Sequence, residues 1–231
     1  MLNGKTSFHL YEAGSRSATR SALAGDIKAD ICIVGAGFTG LWAAWWLRQA
    51  LPDRSVVIVG GQRVGYGASG RNLGWLSGKP VGDRRQLSDG PDGPDGPIVL
   101  RRACIDAITE IPALMRENGI DNEARQVGYL QVARNPAEMA RVHAYLAERE
   151  SWHMTEADLR LLTAQEIRDR VRIDGALGGL FSPHCVRIQP AKLALGLARM
   201  VEARGVTIYE NTRAPEIAPQ CVRADRGTVR A

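Results

Sequence analysis

The sequence has few cysteines and no cysteine motif. Four occur in 231 residues, at Cys32, Cys104, Cys185 and Cys221, and no two are spaced as C-x-x-C. That number is too small for a disulfide scaffold of this length, and no pair of histidines completes a set of zinc ligands. We therefore expect free thiols, no metal site and a reducing, cytoplasmic environment.

Long apolar runs are also missing. The stretch from Ile31 to Leu47 carries no charge, but its 17 residues include three glycines near the start. A membrane-spanning helix needs about 20 predominantly apolar residues. No apolar signal-peptide core precedes the stretch. We therefore expect a soluble protein that neither spans a membrane nor is exported.

A dense basic run is missing too, although the chain is basic overall. Its net charge is +5, yet lysines and arginines are spread along the chain without interleaved aromatic residues. This distribution argues against a nucleic-acid partner, whereas a small anionic ligand such as a phosphate would suit the charge. With 45% hydrophobic and 24% charged residues, the composition is that of a globular protein with a substantial core.

Common catalytic motifs are absent. The chain contains neither G-x-S-x-G nor H-E-x-x-H, and no Cys/His pair stands at a spacing usable for nucleophilic catalysis. The sequence therefore assigns no catalytic residue. This absence is compatible with chemistry that a bound cofactor supplies.

One segment has the pattern of a strand, a helix and a second strand. Asp30–Val34 is short, β-branched and almost wholly apolar, which is typical of a parallel strand buried on both faces. Leu41–Ala50 has helical apolar spacing and ends before Pro52, and Ser55–Val59 is a second apolar run. The unit spans about thirty residues, the size expected of a βαβ unit in a parallel α/β sheet.

A G-x-G-x-x-G pattern lies between the first strand and the helix. Gly35 would allow the tight turn, Gly37 the close approach of a diphosphate, and Gly40 the close packing of helix on strand. The amides at the start of the helix, with Phe38 and Thr39 among them, would face the phosphates. In this context the pattern predicts a dinucleotide site, and the alternative is a plain glycine-rich turn.

The carboxylate that usually follows the second strand of such a unit is missing. A ribose site favours Asp or Glu there, but the sequence continues with Gly60, Gly61 and Gln62. The Gln62 amide is a weaker partner for a ribose hydroxyl than a carboxylate. Arg63 follows, and a neutral strand end beside an arginine is also how NADP sites hold the 2′-phosphate. The pattern thus leaves FAD, NAD and NADP open.

A second glycine-rich segment extends the pattern. Gly67-Ala68-Ser69-Gly70-Arg71-Asn72 follows the second strand. Together with Val34–Gly40, it resembles the FAD-dependent amine and amino-acid oxidoreductases of the D-amino-acid oxidase superfamily, and most of all the gamma-glutamylputrescine oxidoreductase branch. The resemblance continues through Gly128–Ala133 and Phe181–Leu193, so that it covers residues 28–231.

The resemblance implies an α/β fold, with a Rossmann-like FAD-binding domain and part of an α+β substrate or cap domain. It implies an enzyme that oxidises the C–N bond of a small amine or amino acid by hydride transfer to the flavin. We expect non-covalent FAD, because no Cys or His stands in the flavin-side loop. The implied cofactor-binding residues are Gly35, Gly37, Phe38, Thr39, Gly40, Gly61, Gln62, Ala68, Ser69, Arg71, Asn72, Gly74 and Ala214.

The same resemblance suggests how the chain is divided. The expected parts are an N-terminal extension (1–27), the first part of the FAD-binding domain (28–82), an Asp-Gly-Pro surface loop (83–97), a helical and substrate-side cap part (98–185) and a return to the FAD-binding domain (186–231). Within the cap part, Pro136–Glu150 has the pattern of a helix that opens with a proline after Asn135. Cys221–Ala231 has the pattern of a hairpin that turns at Asp225–Gly227. In the family the chain continues beyond this point. We therefore expect an incomplete half with little or no turnover alone, whose partners would be a C-terminal half or a second copy.

Two departures from the family pattern keep other functions open. Gly60 stands where the family usually has Glu, and Leu73 where it usually has Gly. The first departure, together with Arg63, suits an NADP-binding reductase domain. Both departures would suit a catalytically inactive, truncated relative that serves as a binding module. We keep these two functions as alternatives to the FAD-dependent oxidoreductase.

Overall fold

The computed structural model describes residues 6–14, 20–79 and 84–231. The helices are α1 (Phe8–Glu12), α2 (Phe38–Ala50), α3 (Arg84–Ser88), α4 (Gly96–Glu117), α5 (Pro136–Glu150), α6 (Ala164–Arg168) and α7 (Pro190–Glu202). The strands are β1 (Ile27–Lys28), β2 (Ile31–Val34), β3 (Val56–Val59), β4 (Trp75–Ser77), β5 (Arg125–Gln126), β6 (Tyr129–Ala133), β7 (Arg160–Thr163), β8 (Gly178–Ser182), β9 (Cys185–Arg187), β10 (Thr207–Tyr209), β11 (Glu216–Ala218), β12 (Cys221–Ala224) and β13 (Gly227–Arg230).

The described chain forms two compact units. The first takes in the described residues within Met1–Gly74, Leu114–Glu123 and Gln189–Ala231, and the second those within Trp75–Ala113 and Ala124–Ile188. The boundary expected between residues 82 and 83 lies outside the described residues. The other expected domain boundaries stay predictions.

The first unit contains the predicted βαβ unit. Strands β2, β3 and β10 form a parallel sheet in the order β10-β3-β2. The middle strand, β3, is buried along its whole length because it has a neighbour on each side. The expectation that the first strand is buried on both faces is wrong for β2. Among the described residues β2 lies at the edge of the sheet, and Val34 is 44% exposed.

A second sheet in the same unit carries the predicted hairpin. Its order is β1-β13-β12-β11, and β12 and β13 pair antiparallel around the turn that joins Ala224 to Gly227. Val222 and Val229 on these strands pack with Val57 and Val59 of β3 and with Leu23. The two sheets therefore share one apolar core.

The second unit is built from antiparallel sheets and helices. Its two three-stranded sheets have the orders β4-β9-β5 and β6-β8-β7. The helix expected over Pro136–Glu150 is confirmed, because Asn135 caps its first turn through the Glu138 amide and Pro136 is tolerated at the first position. The expectation of a loop over 83–97 is wrong in part. Helix α3 and a 3₁₀ turn at Gly93–Asp95 occupy much of its described portion.

The end of β2 and the start of α2 pack closely against each other. A Cβ atom on Gly40 would lie 2.0 Å from the carbonyl oxygen of Gly35 and 3.1 Å from Cγ2 of Ile33. Only a glycine lets the helix approach the strand this closely. Helix α2 begins at Phe38, where the start of the helix was expected, because the glycine turn leads directly into it.

Substitution Gly40→Ala is expected to destabilise the protein by about 3 kcal/mol or more, because the clash is with backbone that cannot rotate away. Urea denaturation followed by circular dichroism measures the effect. The matched control is Gly67→Ala, where an added Cβ meets nothing within 4 Å. Equal stability of the Gly40 variant and this control would contradict the described packing.

Candidate functional site

A cleft of about 450 Å³ lies in the first unit, beside the carboxyl ends of β2 and β3. Six of the thirteen residues that line it are glycine, so that main chain forms much of its wall. The lining residues are Gly35, Ala36, Gly37, Gly60, Gly61, Gln62, Arg63, Gly65, Tyr66, Gly67, Ala68, Ser69 and Arg213.

The start of α2 is part of this wall. Gly37 is the N-cap residue of the helix and has no side chain to satisfy the first amides. Such amides carry a positive partial charge and bind anions. Gly35, with φ +112°, makes the turn from the strand, and a Cβ at Gly35 or at Gly67 would meet nothing within 4 Å. This open, glycine-walled cradle fits a diphosphate.

Ser69 supplies a hydroxyl at the same point. It lies in the 3₁₀ turn Ala68–Gly70, and its Oγ accepts a hydrogen bond from the Phe38 amide at 2.9 Å. A serine hydroxyl that accepts from an amide still has one proton to donate. The Ser69 hydroxyl can therefore donate a hydrogen bond to an anion in the cleft while it accepts one from the Phe38 amide.

A buried carboxylate holds the loop that carries Ser69. Glu210 is only 2% exposed, and its Oε1 accepts from the Val64 amide at 2.9 Å and from Nη1 of Arg20 at 3.0 Å. Its Oε2 accepts from the Arg20 amide at 3.0 Å. Burial alone would lower the pKa of Arg20, but its hydrogen bonds and charge contacts with Glu202 and Glu210 raise it. Both oxygens of Glu210 therefore accept hydrogen bonds from the protein itself.

The other end of the cleft, which follows β3, has no carboxylate among its described lining residues. Gly60 donates its amide to the Tyr209 carbonyl at 2.9 Å and accepts from the Thr212 amide at 2.8 Å. The Arg63 guanidinium donates to Oγ1 of Thr6 at 2.6 Å. Arg213 is exposed and lines the cleft beside Gly61. The charge at this end is positive.

A second cleft in the same unit, of about 490 Å³, involves the N-terminal segment. It is lined by Thr6, Ser7, Phe8, His9, Arg71, Asn72 and Leu73. Ser7 Oγ donates to the Gly70 carbonyl at 2.7 Å, which ties the segment to the glycine-rich loop. Sequence reasoning missed this segment. Ser7 before Phe8–Glu12 is a standard helix N-cap, but nothing local to residues 6–14 indicates where that helix docks.

The structure brings together some of the predicted site residues. Those that line the first cleft are Gly35, Gly37, Gly61, Gln62, Ala68 and Ser69. The Phe38 amide points at Ser69, Thr39 is exposed, and Gly40 is buried in the packing of helix on strand. Arg71 and Asn72 line the second cleft. The Gly74 amide donates to Asn72 Oδ1 at 2.8 Å, and Ala214 packs against the apolar core rather than the cleft.

The first cleft can bind anions, but its described lining residues include no carboxylate, histidine or thiol. Its ionisable lining side chains are Arg63, Tyr66 and Arg213. The nearby thiol of Cys32 on β2 is no nucleophile, since burial raises its pKa to about 11. Any redox or acid–base chemistry here would have to come from a bound group.

Comparison with known proteins agrees with this description. The family described as DAO, FAD dependent oxidoreductase, matches residues 30–231. The gamma-glutamylputrescine oxidoreductase of Escherichia coli is 31% identical over 241 residues, which cover 98% of this chain and 52% of that protein. A probable oxidoreductase OrdL of Haemophilus influenzae is 30% identical, covering 80% of this chain and 42% of that protein.

Solved structures give the same fold. Glycine oxidase from Geobacillus kaustophilus superposes with a TM-score of 0.71 at 21% identity, covering 88% of this chain and 53% of that chain. L-Amino acid deaminase from Proteus myxofaciens does so with a TM-score of 0.69 at 18% identity, over 93% and 46%. The chain spans about half the length of the curated relatives it matches. The sequence-based assignments of fold and cofactor class are confirmed.

The helices give no sign of a membrane span. Across residues 6–14, 20–79 and 84–231, none is long and apolar enough to cross a bilayer.

Substitution Ser69→Ala is expected to weaken FAD binding by about tenfold to a hundredfold, because it removes one hydroxyl donor to the diphosphate, a bond to a charged group worth about 1.5–3 kcal/mol. Titration of flavin fluorescence measures the dissociation constant. Ser21→Ala, at an exposed serine of the same unit, is the control and should bind FAD normally. Unchanged affinity in the Ser69 variant would remove this residue from the site.

Proposed function

Because this chain belongs to the DAO family of FAD-dependent oxidoreductases, we propose that it supplies the diphosphate-binding part of an enzyme that oxidises a small amine or amino acid. The observation that carries this proposal is the glycine-walled cleft at the start of α2. The names of the relatives, a gamma-glutamylputrescine oxidoreductase and a glycine oxidase among them, support the substrate class.

The roles of this chain's residues are in binding and orientation. The Gly37 amide at the start of α2 would hold the diphosphate together with the Ser69 hydroxyl, which itself accepts from the Phe38 amide. Gly61 and Gln62 would lie along the adenosine end. When bound, FAD supplies the acceptor for the hydride that leaves the carbon of the C–N bond, so that amine becomes imine.

The oxidation itself needs more than the described cleft provides. We assign no catalytic residue, and we expect residues 1–231 alone to show little or no amine-dependent turnover. A C-terminal half, or a second copy of the chain, would complete the substrate site. The absence of disulfide or zinc motifs in the sequence supports a cytoplasmic setting.

The FAD-binding part of the proposal is tested on the purified chain. We expect it to take up FAD, to show the visible absorption bands of oxidised flavin, and to release the flavin on acid precipitation because the binding is non-covalent. Peroxide release with added amines is measured on the same sample. A chain that takes up no flavin would refute the proposal, and steady peroxide release would refute the expectation of an incomplete half.

Substitution Gly37→Asp is expected to weaken FAD binding at least about fivefold, since two like charges 4 Å apart repel by about 1 kcal/mol in bulk water and by about 4 kcal/mol near a protein surface. Calorimetric titration with FAD gives the change. Gln220→Glu adds the same charge at an exposed position of the same unit and should leave the affinity unchanged. If Gly37→Asp binds FAD as the parent does, the diphosphate is not at the start of α2.

A further inference from the structure

The loop at residues 63–70 depends on contacts from outside to keep one conformation. Three of its eight residues are glycine, at Gly65, Gly67 and Gly70, and glycine has the most backbone freedom to lose on ordering. The same loop lines the first cleft and carries Ser69. A ligand that had to order this loop would bind more weakly by the cost of the ordering. Groups that hold the loop beforehand therefore contribute to the affinity of the cleft.

The N-terminal segment contacts this loop at both of its ends. Thr6 Oγ1 accepts a hydrogen bond from Nη2 of Arg63, the first residue of the loop, at 2.6 Å. Ser7 Oγ donates to the carbonyl of Gly70, the last residue of the loop, at 2.7 Å. Two neighbouring side chains of the segment thus fix the distance across the loop.

These two contacts start from a firmly seated helix. Leu10 of α1 is fully buried, and its Cδ2 lies 3.5 Å from the point where a Cβ on Gly65 would stand. Gln189, the N-cap residue of α7, donates from Nε2 to the His9 carbonyl at 2.7 Å. Helix α1 is therefore attached to α7 as well as to the loop, so that Thr6 and Ser7 hold the loop from a fixed position.

A second stretch of the N-terminal segment reaches the loop through the buried Glu210. The Arg20 amide donates to Oε2 of Glu210 at 3.0 Å, and its Nη1 donates to Oε1 at 3.0 Å. The same Oε1 accepts from the Val64 amide at 2.9 Å. The Glu210 amide in turn donates to the Ser21 carbonyl at 3.2 Å. One carboxylate thus joins the segment to the beginning of the loop.

These contacts meet on the part of the loop that leads to the cofactor cleft. We propose that the N-terminal segment is a positioning element of the FAD site, in which Ser7 and the Arg20–Glu210 pair hold the loop so that the Ser69 hydroxyl already faces the diphosphate position. The described lining residues of the first cleft include none of Ser7, Arg20 and Glu210, so these three act through the loop. The inference rests on the proposed function in one respect, namely that FAD binds in this cleft.

Substitutions at Ser7 separate its contact to the loop from its role as a helix cap. An aspartate still caps α1, because its carboxylate accepts from the Leu10 amide as the Ser7 hydroxyl does at 3.1 Å, but it cannot donate to the Gly70 carbonyl. We expect Ser7→Asp to weaken FAD binding about threefold to tenfold in calorimetric titration of the purified chain. Ser7→Thr keeps a hydroxyl for both contacts and should bind FAD as the parent does.

Two glutamates that share Arg20 give a matched pair of variants. Glu210→Gln replaces one acceptor oxygen by a group that only donates, so that a contact to Val64 or to Arg20 is lost. We expect it to weaken FAD binding about threefold to tenfold. Glu202→Gln removes the same charge beside Arg20 but is not bonded to the loop, and should retain the affinity. Thermal unfolding by circular dichroism verifies that the variants are folded, and the Ser7 variants test the proposal without altering the buried acid.

Combination with Ser69→Ala separates positioning from mere stabilisation of the fold and from the charge that aspartate adds. If the segment acts by placing the Ser69 hydroxyl, Ser7→Asp and Glu210→Gln lose most of their effect on FAD affinity once residue 69 is alanine. Repulsion by an added charge, or a general loosening of the fold, would persist in that background. Weakening by the same factor in both backgrounds overturns the proposal.

The outcomes distinguish this inference from the function on which it rests. If the parent takes up FAD and Ser69→Ala weakens it, but Ser7→Asp and Glu210→Gln bind as the parent does, the positioning role is refuted and the proposed function stands. If the parent takes up no FAD, the cofactor site itself is refuted and both fall together.

Discussion

The close contact between the end of β2 and the start of α2 is the constraint on which the cleft depends. Gly40 has no Cβ to hold the helix away from the Gly35 carbonyl, which an alanine Cβ would approach to 2.0 Å. Because the helix starts this near to the strand, its first amides open directly onto the carboxyl ends of β2 and β3. An anion bound there meets the positive partial charge of the helix start and the Ser69 hydroxyl, which accepts from the Phe38 amide.

The loop after β3 completes the cleft, and a buried charge network holds it in place. Glu210 reaches from the chain after β10 to the Val64 amide and to Arg20, and so joins three segments that are distant in sequence. A buried carboxylate is tolerated only when its hydrogen-bond capacity is used in this way. Because these contacts occupy both of its oxygens, Glu210 is not available to a ligand in the cleft.

The sequence predicted the elements whose signals are local. The βαβ unit, the hairpin around Asp225 and the helix that begins at Pro136 each depend on short patterns of apolar spacing, turn residues or caps. The six predicted site residues that line the first cleft come from the two glycine-rich segments and the end of β3, which the βαβ topology places side by side.

Features that depend on distant contacts could not be predicted in this way. The exposure of β2 depends on which strands neighbour it, and the hydrogen bond from Phe38 to Ser69 joins residues 31 apart in sequence. The docking of α1 on the loop at Gly70 spans 63 residues. Ala214 packs against the apolar core, whereas the neighbouring Arg213 lines the cleft, so that a contact of Ala214 with the cofactor stays a prediction.

A crystal structure of the chain with FAD bound would test the account most directly, because it locates the diphosphate without reference to activity. The account predicts diphosphate oxygens within about 2.7–3.2 Å of the Gly37 nitrogen, with the Ser69 hydroxyl, which accepts from the Phe38 amide, turned towards them. A diphosphate bound elsewhere, with the start of α2 making no contact to it, would contradict the account.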